Sequence, residues 1–209
     1  NMLRADVCNA VDELGQLLDH TGPVAASERN AARIFNCDHL FFVTNGTSTS
    51  NKIVWHSTVA PGDIVVVDRN CHKSILHAIM MTGAVPVFLM PTRNHYGIIG
   101  PIPRSEFEPA TIRRKMEANP FIRELLAKNP ALKPRVLTIT QSTYDGILYN
   151  IEEIKSLLDG EIETLHFDEA WLPHAAFHDF YGDYHAIGEG RPRCDTSMVF
   201  ATQSTHKLL

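Results

Sequence analysis

Met198-Val199-Phe200-Ala201-Thr202-Gln203-Ser204-Thr205-His206-Lys207 joins a short apolar run to a polar turn ending on a lysine. The first four residues have the length and the β-branched and aromatic content of a buried strand. A lysine just past such a strand end stands where open α/β sheets bind their ligands. Its amine becomes a useful nucleophile once burial or neighbouring charge lowers its pKa. Alone, Ser-x-His-Lys fits an ordinary surface lysine as well as a reactive one, so the surrounding sequence has to decide.

Upstream, strand and helix patterns alternate. Residues 40–44, 64–68, 85–89, 135–140 and 163–167 read as strands, and 48–59, 71–81 and 151–158 as helices. Helical material also runs over 110–128, interrupted near Pro120, after a polar interval rich in Gly and Pro over 91–109. Pro86 has no ladder donor, which places its strand at a sheet edge. Asn150 with Glu153 three residues on predicts an N-cap and its reciprocal partner. Strands as continuous hydrophobic runs between helices imply a three-layer, doubly wound α/β fold with a mainly parallel sheet. A fold alone names no function.

Three segments carry chemistry at predicted strand ends. Thr44-Asn45-Gly46-Thr47-Ser48-Thr49-Ser50-Asn51-Lys52 leads through Gly and hydroxyl residues into a helix. Free N–H groups, the helix dipole and the Thr47 and Ser48 hydroxyls suit an anion such as phosphate. The segment is neither a Walker A loop nor G-x-G-x-x-G, and a capped helix that binds nothing is the plain alternative. Asp68-Arg69-Asn70-Cys71-His72-Lys73-Ser74 places His72 to stack on a ring, to ligate zinc or simply to pack. Zinc has no partner constellation here. A Cys71 nucleophile served by His72 is disfavoured, because helix neighbours point about 100° apart. In His166-Phe167-Asp168-Glu169-Ala170-Trp171, Asp168 offers a carboxylate that could pair with a protonated pyridine nitrogen. Glu169 would point the other way, as a solvated or structural group.

Composition excludes several classes. With 209 residues, 44% apolar and 21% charged, the chain suits one soluble globular domain. A net charge of -5 and a pI near 6.1 leave no basic patch for nucleic acid, and Arg113-Arg114-Lys115 reads as one helix face. No apolar run has the length of a membrane span, and Asn1-Met2-Leu3-Arg4 does not open a signal peptide. Four scattered cysteines (Cys8, Cys37, Cys71 and Cys194) without a C-x-x-C pair point to a reducing, cytoplasmic setting and away from structural zinc.

Taken together, TNGTSTSNK, DRNCHKS, PTRNHYGIIGPI, STYDGILYN, HFDEAW and TQSTHKLL, with LLDHTGP near the start, resemble the cofactor-binding large domain of the bacterial Orn/Lys/Arg decarboxylases. These are fold-type-I, pyridoxal-phosphate-dependent enzymes. The resemblance runs nearly the whole chain, so that residues 1–209 read as the N-terminal part of that domain, and it implies Lys207 as Schiff-base lysine, Asp168 as partner of the pyridine nitrogen and His72 stacked on the ring. It further implies Thr47, Ser48 and Ser204 around the cofactor phosphate, with His206 and Trp171 as close neighbours. The implied reaction is decarboxylation of arginine, lysine or ornithine to CO2 and an amine, with no metal, in a homodimer or larger homo-oligomer. An aminotransferase of the same fold, or a non-catalytic regulatory or oligomerisation paralogue, is the alternative. HFDEAW with YGIIGPI leans toward the arginine branch, TNGTSTSNK toward the lysine branch, and THKLL away from biosynthetic ornithine enzymes. Domains of this type continue with an antiparallel strand that would pair with 40–44, so the chain reads as a segment of a longer protein.

Overall fold

The computed structural model describes residues 11–208. Contacts divide the chain into one unit of residues 11–44 with Ile187–Glu189, and a second of Asn45–Ala186 with Gly190–Leu209. In the first unit, α1 (Gly22–Phe35) starts with Pro at its first turn and ends on Asn36 in the left-handed conformation. Its Glu28 is buried and accepts from His20 Nδ1 at 2.7 Å and from the Phe42 N–H at 2.9 Å.

That last bond bears on the strand predicted over 40–44, which does not form. A strand exists through its ladder. Here the Phe42 N–H is spent on a helix carboxylate, and Phe41 is 60% exposed. Hydrophobic content alone misled the reading.

The second unit holds a five-stranded parallel sheet, ordered β2-β1-β3-β4-β5. Its strands are β1 (Ile64–Asp68), β2 (Val85–Leu89), β3 (Val136–Thr140), β4 (Thr164–Glu169) and β5 (Met198–Gln203). The helices are α2 (Thr47–Thr58), α3 (Lys73–Thr82), α4 (Pro109–Ala118), α5 (Pro120–Lys128), α6 (Ile151–Leu158) and α7 (Thr205–Leu208). They cover both faces of the sheet, giving the doubly wound layering that the alternation predicts. Strands β1, β3 and β4 are buried along nearly their whole length; β1 shows this as an unbroken apolar run, while β3 and β4 bury Thr138, His166 and Asp168 among their apolar residues. On one face Trp55 of α2 and Ile75 and Ala78 of α3 pack on Val65, Val67 and Val136. Each such large side chain contributes roughly 1.5–3 kcal/mol by leaving water.

Local chemistry sets the helix ends. His72 accepts from the Ser74 N–H, so α3 begins at Lys73 rather than at 71. Pro120 starts α5 after the α4 stop at Ala118, as the predicted interruption requires. Asn150 caps α6 through the Glu153 N–H, but the Glu153 carboxylate pairs with Arg104 instead of reaching back. Pro86 lies on edge strand β2. The Val85 N–H donates to Asp63 O, and Leu89 O accepts from the Arg69 N–H. By alternation the peptide groups of Pro86 and Phe88 therefore face outward. Pro86 thus costs the ladder nothing, and Lys115 Nζ caps the outward Phe88 carbonyl at 2.9 Å.

The approach to β5 is pinned from the end of α6. Asp159 accepts N–H groups from Asp195, Thr196 and Ser197 at 2.6, 3.1 and 2.8 Å. These backbone donors, the Ser197 bond foremost, hold its carboxyl below the usual range. Asp159→Ala should lower the urea midpoint by a loss on the order of 1 kcal/mol at neutral pH. Because the folded pKa is depressed, that contribution is complete above the unfolded value of about 4 and fades as pH falls through the folded one. The gap between parent and variant should close in acid.

Candidate functional site

All five strands run the same way, so the segments after β1, β3, β4 and β5 leave from one edge of the sheet. Those segments carry His72, Gln141–Ser142, Trp171 and Ser204–Lys207, and Asp168 sits in the last turn of β4. The order reverses between β1 and β3, the position at which such sheets bind ligands.

An anion corner lies where β5 ends. Gly46 enters α2 at φ 77°, a conformation open to glycine, and gives the helix no side-chain cap. The Thr49 N–H donates to Gly46 O at 2.9 Å, which leaves the Thr47 and Ser48 N–H groups at the positive end of the helix. Thr47 Oγ1 and Ser204 Oγ meet there at 2.5 Å, both buried. Ser48 follows as an exposed residue of the same turn. Two hydroxyls and a bare helix terminus can hold a phosphate monoester.

A carboxylate corner lies beside it. Asp168 is 4% exposed. It accepts from Asn51 Nδ2 at 2.9 Å and from the Ala170 N–H at 3.2 Å. Burial pushes its carboxyl up, while the Asn51 bond, the Ala170 N–H and then the charges of His72 and Lys207 pull it back. The net rise marks a carboxylate short of positive charge, suited to a cationic ligand group. Glu169, fully buried next door, accepts from the Ala186 N–H at 2.7 Å and from Gln203 Nε2 at 2.8 Å. It is a structural partner and not a solvated one.

His72 and Lys207 complete the edge. The exposed His72 ring is oriented through Nδ1, which lies 3.2 Å from the Ser74 N and 2.9 Å from Ser74 Oγ. Lys207, in α7, carries its Nζ 5.8 Å from the centre of the Trp171 ring. Trp171 in turn meets Tyr144 edge-on at 4.7 Å. His206 is exposed beside Lys207. Burial first, then the Asp68 charge, drives the Cys71 thiol up to about 12, so it stays protonated and is no nucleophile near neutrality. Among the described residues no cluster of His, Cys, Asp and Glu could hold a metal ion, and no helix is long and apolar enough to cross a membrane.

Four contributors were not singled out from sequence. Asn51 touches Asp168, and Ser74 Oγ accepts from the same Asn51 amide at 3.0 Å and orients His72. Asn51 stands four residues after Thr47 on the buried face of α2, a spacing visible in the sequence. Gln141 Oε1 and Ser142 Oγ at the end of β3 are buried without a hydrogen-bond partner, like Asp68 Oδ2 at the end of β1. Orphaned buried polar atoms at a ligand edge ask for a ligand. No period or motif in the chain announces them.

Comparison with known proteins gives this edge its context. The family model for the Orn/Lys/Arg decarboxylase major domain matches residues 1–209. Lysine decarboxylase LdcA of Pseudomonas aeruginosa is 56% identical over the whole chain, which spans 27% of that protein. The biodegradative arginine decarboxylase of Escherichia coli K12 is 44% identical, again with 27% of its length covered. The solved constitutive lysine decarboxylase of E. coli superposes with a TM-score of 0.87 at 45% identity, over 100% of this chain and 28% of that one. The chain thus spans about a quarter of the length of the relatives it matches, and with a family model covering all of it, it belongs to the Orn/Lys/Arg decarboxylases as their major domain.

Proposed function

We propose that this chain is the cofactor-binding part of a pyridoxal-phosphate-dependent decarboxylase of basic amino acids, with lysine as substrate. The observation that carries the reading is the buried Asp168 carboxylate, short of positive charge, on the same sheet edge as the Thr47–Ser204 anion corner and the Lys207 amine. The residues fit the cofactor. The uncapped α2 terminus matches its phosphate, Asp168 its protonated ring nitrogen, and the unpartnered Ser142 and Gln141 oxygens its remaining polar groups. Relatives support lysine. Named lysine decarboxylases are 56%, 47% and 44% identical, the arginine decarboxylase 44%, and the inducible ornithine decarboxylase of E. coli 36%.

Pyridoxal phosphate, when bound, supplies an aldehyde that captures the substrate amine and a cationic ring that takes up the electron pair left as CO2 departs. The chain's residues do the rest. Thr47, Ser48, Ser204 and the first-turn N–H groups of α2 bind the phosphate. Asp168, held by Asn51, keeps the proton on the ring nitrogen. His72, its orientation set by Ser74, would pack against the ring. Lys207 Nζ would hold the cofactor and would be the acid that gives a proton to the substrate Cα. Trp171, with Tyr144 across its edge, would offer its ring face to the Lys207 ammonium, and His206 flanks it.

In the complete enzyme, CO2 release should be fastest from lysine, slower from arginine and slowest from ornithine; equal rates from all three would remove the substrate assignment. Replacing Lys207 by Ala should cost several orders of magnitude in turnover, since an external amine must then stand in for a held one. Visible absorbance of the lysine-bound cofactor should vanish, and a Lys207→Ala enzyme at parental activity would refute the reading.

Removing both hydroxyls of the anion corner, as Thr47→Val with Ser204→Ala, should weaken cofactor retention more than chemistry at saturating cofactor. Each hydrogen bond to a charged group contributes roughly 1.5–3 kcal/mol, so dialysis should strip the double variant of cofactor that the parent keeps.

A further inference from the structure

Behind Asp168 runs a buried series of hydrogen bonds that the proposed chemistry does not itself use. Trp55 Nε1 donates to Thr138 Oγ1 at 3.1 Å. Thr138 Oγ1 lies 3.1 Å from His166 Nδ1, and His166 Nε2 lies 3.1 Å from Thr202 Oγ1. Thr202 Oγ1 donates to Asn51 Oδ1 at 2.6 Å, and Asn51 Nδ2 donates to Asp168 Oδ2. Every member is buried.

The two ends fix the direction of all the bonds between them. An indole N–H only donates, and a carboxylate only accepts. With Asn51 Nδ2 turned to Asp168, its Oδ1 faces Thr202, whose single proton it takes. Thr202 can then only accept, so His166 donates from Nε2. Neutral imidazole has one N–H, so Nδ1 accepts from Thr138, and the Thr138 oxygen accepts from Trp55. Burial supports this by pushing His166 down to about 3, which keeps it neutral.

We propose that this one-way chain is a positioning device: Trp55, Thr138, His166 and Thr202 hold the Asn51 amide with its N–H toward Asp168, and so select the ionised carboxylate. If Asn51 turned over, its oxygen would face Asp168, which could donate to it only as a protonated carboxyl, with the Ser74 hydroxyl the other group within reach. The turned state also leaves Thr202 with two donors facing it and no acceptor. Thr202 and His166 touch neither the Lys207 amine nor the anion corner in any bond described above, so they act through Asn51.

The functional consequence rests on the reading of Asp168 as partner of a cationic ring, but the orientation can be tested without it. In the cofactor-free complete enzyme, the infrared carbonyl band of a protonated Asp168, identified by its absence in Asp168→Asn, can be followed with pH. The other titratable groups that act on Asp168 are His72, Lys207 and Cys71, with Glu169 on the opposite face of the strand, and all are retained in the variants. Thr202→Val should raise the protonation midpoint by about one pH unit, the roughly tenfold preference of one hydrogen bond to a charged group. Thr202→Ser should restore the parental midpoint. Thr138→Val, two links further back, should shift it in the same direction by less, and serves if Thr202→Val does not fold. In the cofactor-loaded enzyme, Thr202→Val should lower kcat about as much while leaving KM within about twofold.

An unmoved midpoint in both valine variants would overturn the proposal, even if turnover fell. If Asp168→Asn decarboxylates like the parent, the reading of Asp168 falls, and the midpoint shift still decides whether the chain orients Asn51.

Discussion

Parallel pairing is the constraint on which the rest depends. Antiparallel neighbours would send alternate strand ends to opposite sides of the sheet. With β1, β3, β4 and β5 all parallel, Asp68, Thr140, Asp168 and Gln203 end together, and groups as distant in sequence as Thr47 and Ser204 come within a hydrogen bond. Parallel strands need crossover helices, and those helices bury both sheet faces. The edge is therefore the place where polar chemistry meets solvent, and the carboxylate there is held at 4% exposure by what packs behind it.

Helix α2 does most of that packing with one stripe. Thr47, Asn51 and Trp55 follow each other at four-residue spacing, and each presents a polar group to the strands and their ends: a hydroxyl to Ser204, both ends of an amide to Asp168 and Thr202, an indole N–H to Thr138. Trp55 also fills the hydrophobic cluster with the rest of its ring, so an aromatic that anchors the core closes the polar chain as well. The adjacent carboxylates Asp168 and Glu169 show how the pleat divides labour. Successive side chains leave opposite faces: Asp168 meets α2, and Glu169 ties β4 to the Ala186 N–H and to Gln203.

The strand and helix pattern was largely legible, down to the bounds of half-buried Val85–Leu89, although fully buried β4 runs two residues past its predicted end. Ile64–Asp68 and Ile151–Leu158 have the predicted bounds because unbroken apolar runs and an Asn cap leave few alternatives. The prediction failed at 40–44, where apolar content was right but a ladder partner decides the structure, and pairing is not written in a strand's own residues. The placement of Asp168, His72 and Lys207 at strand ends was readable from the pattern of runs. Ser74 and Thr202 were not, since a buried Ser or Thr looks in sequence like any surface polar residue, and the spacing that sets Asn51 in line with Thr47 does not say that this stripe is buried. Their burial follows from partners 23 to 151 positions away, a distance no local periodicity reports.

The outer side of β2 has a consequence for solubility. An exposed parallel edge is a template on which any extended chain can add a strand. At the positions facing outward, Pro86 offers no N–H, and the Phe88 carbonyl is already taken by Lys115, whose ammonium also pairs with Glu106. A strand arriving there meets a missing donor, an occupied acceptor and a charged side chain across its path. The sheet is therefore closed to recruitment from this side during folding, when half-formed neighbours are most abundant, and it is protected by two residues that take no part in the chemistry at the other end of the strands.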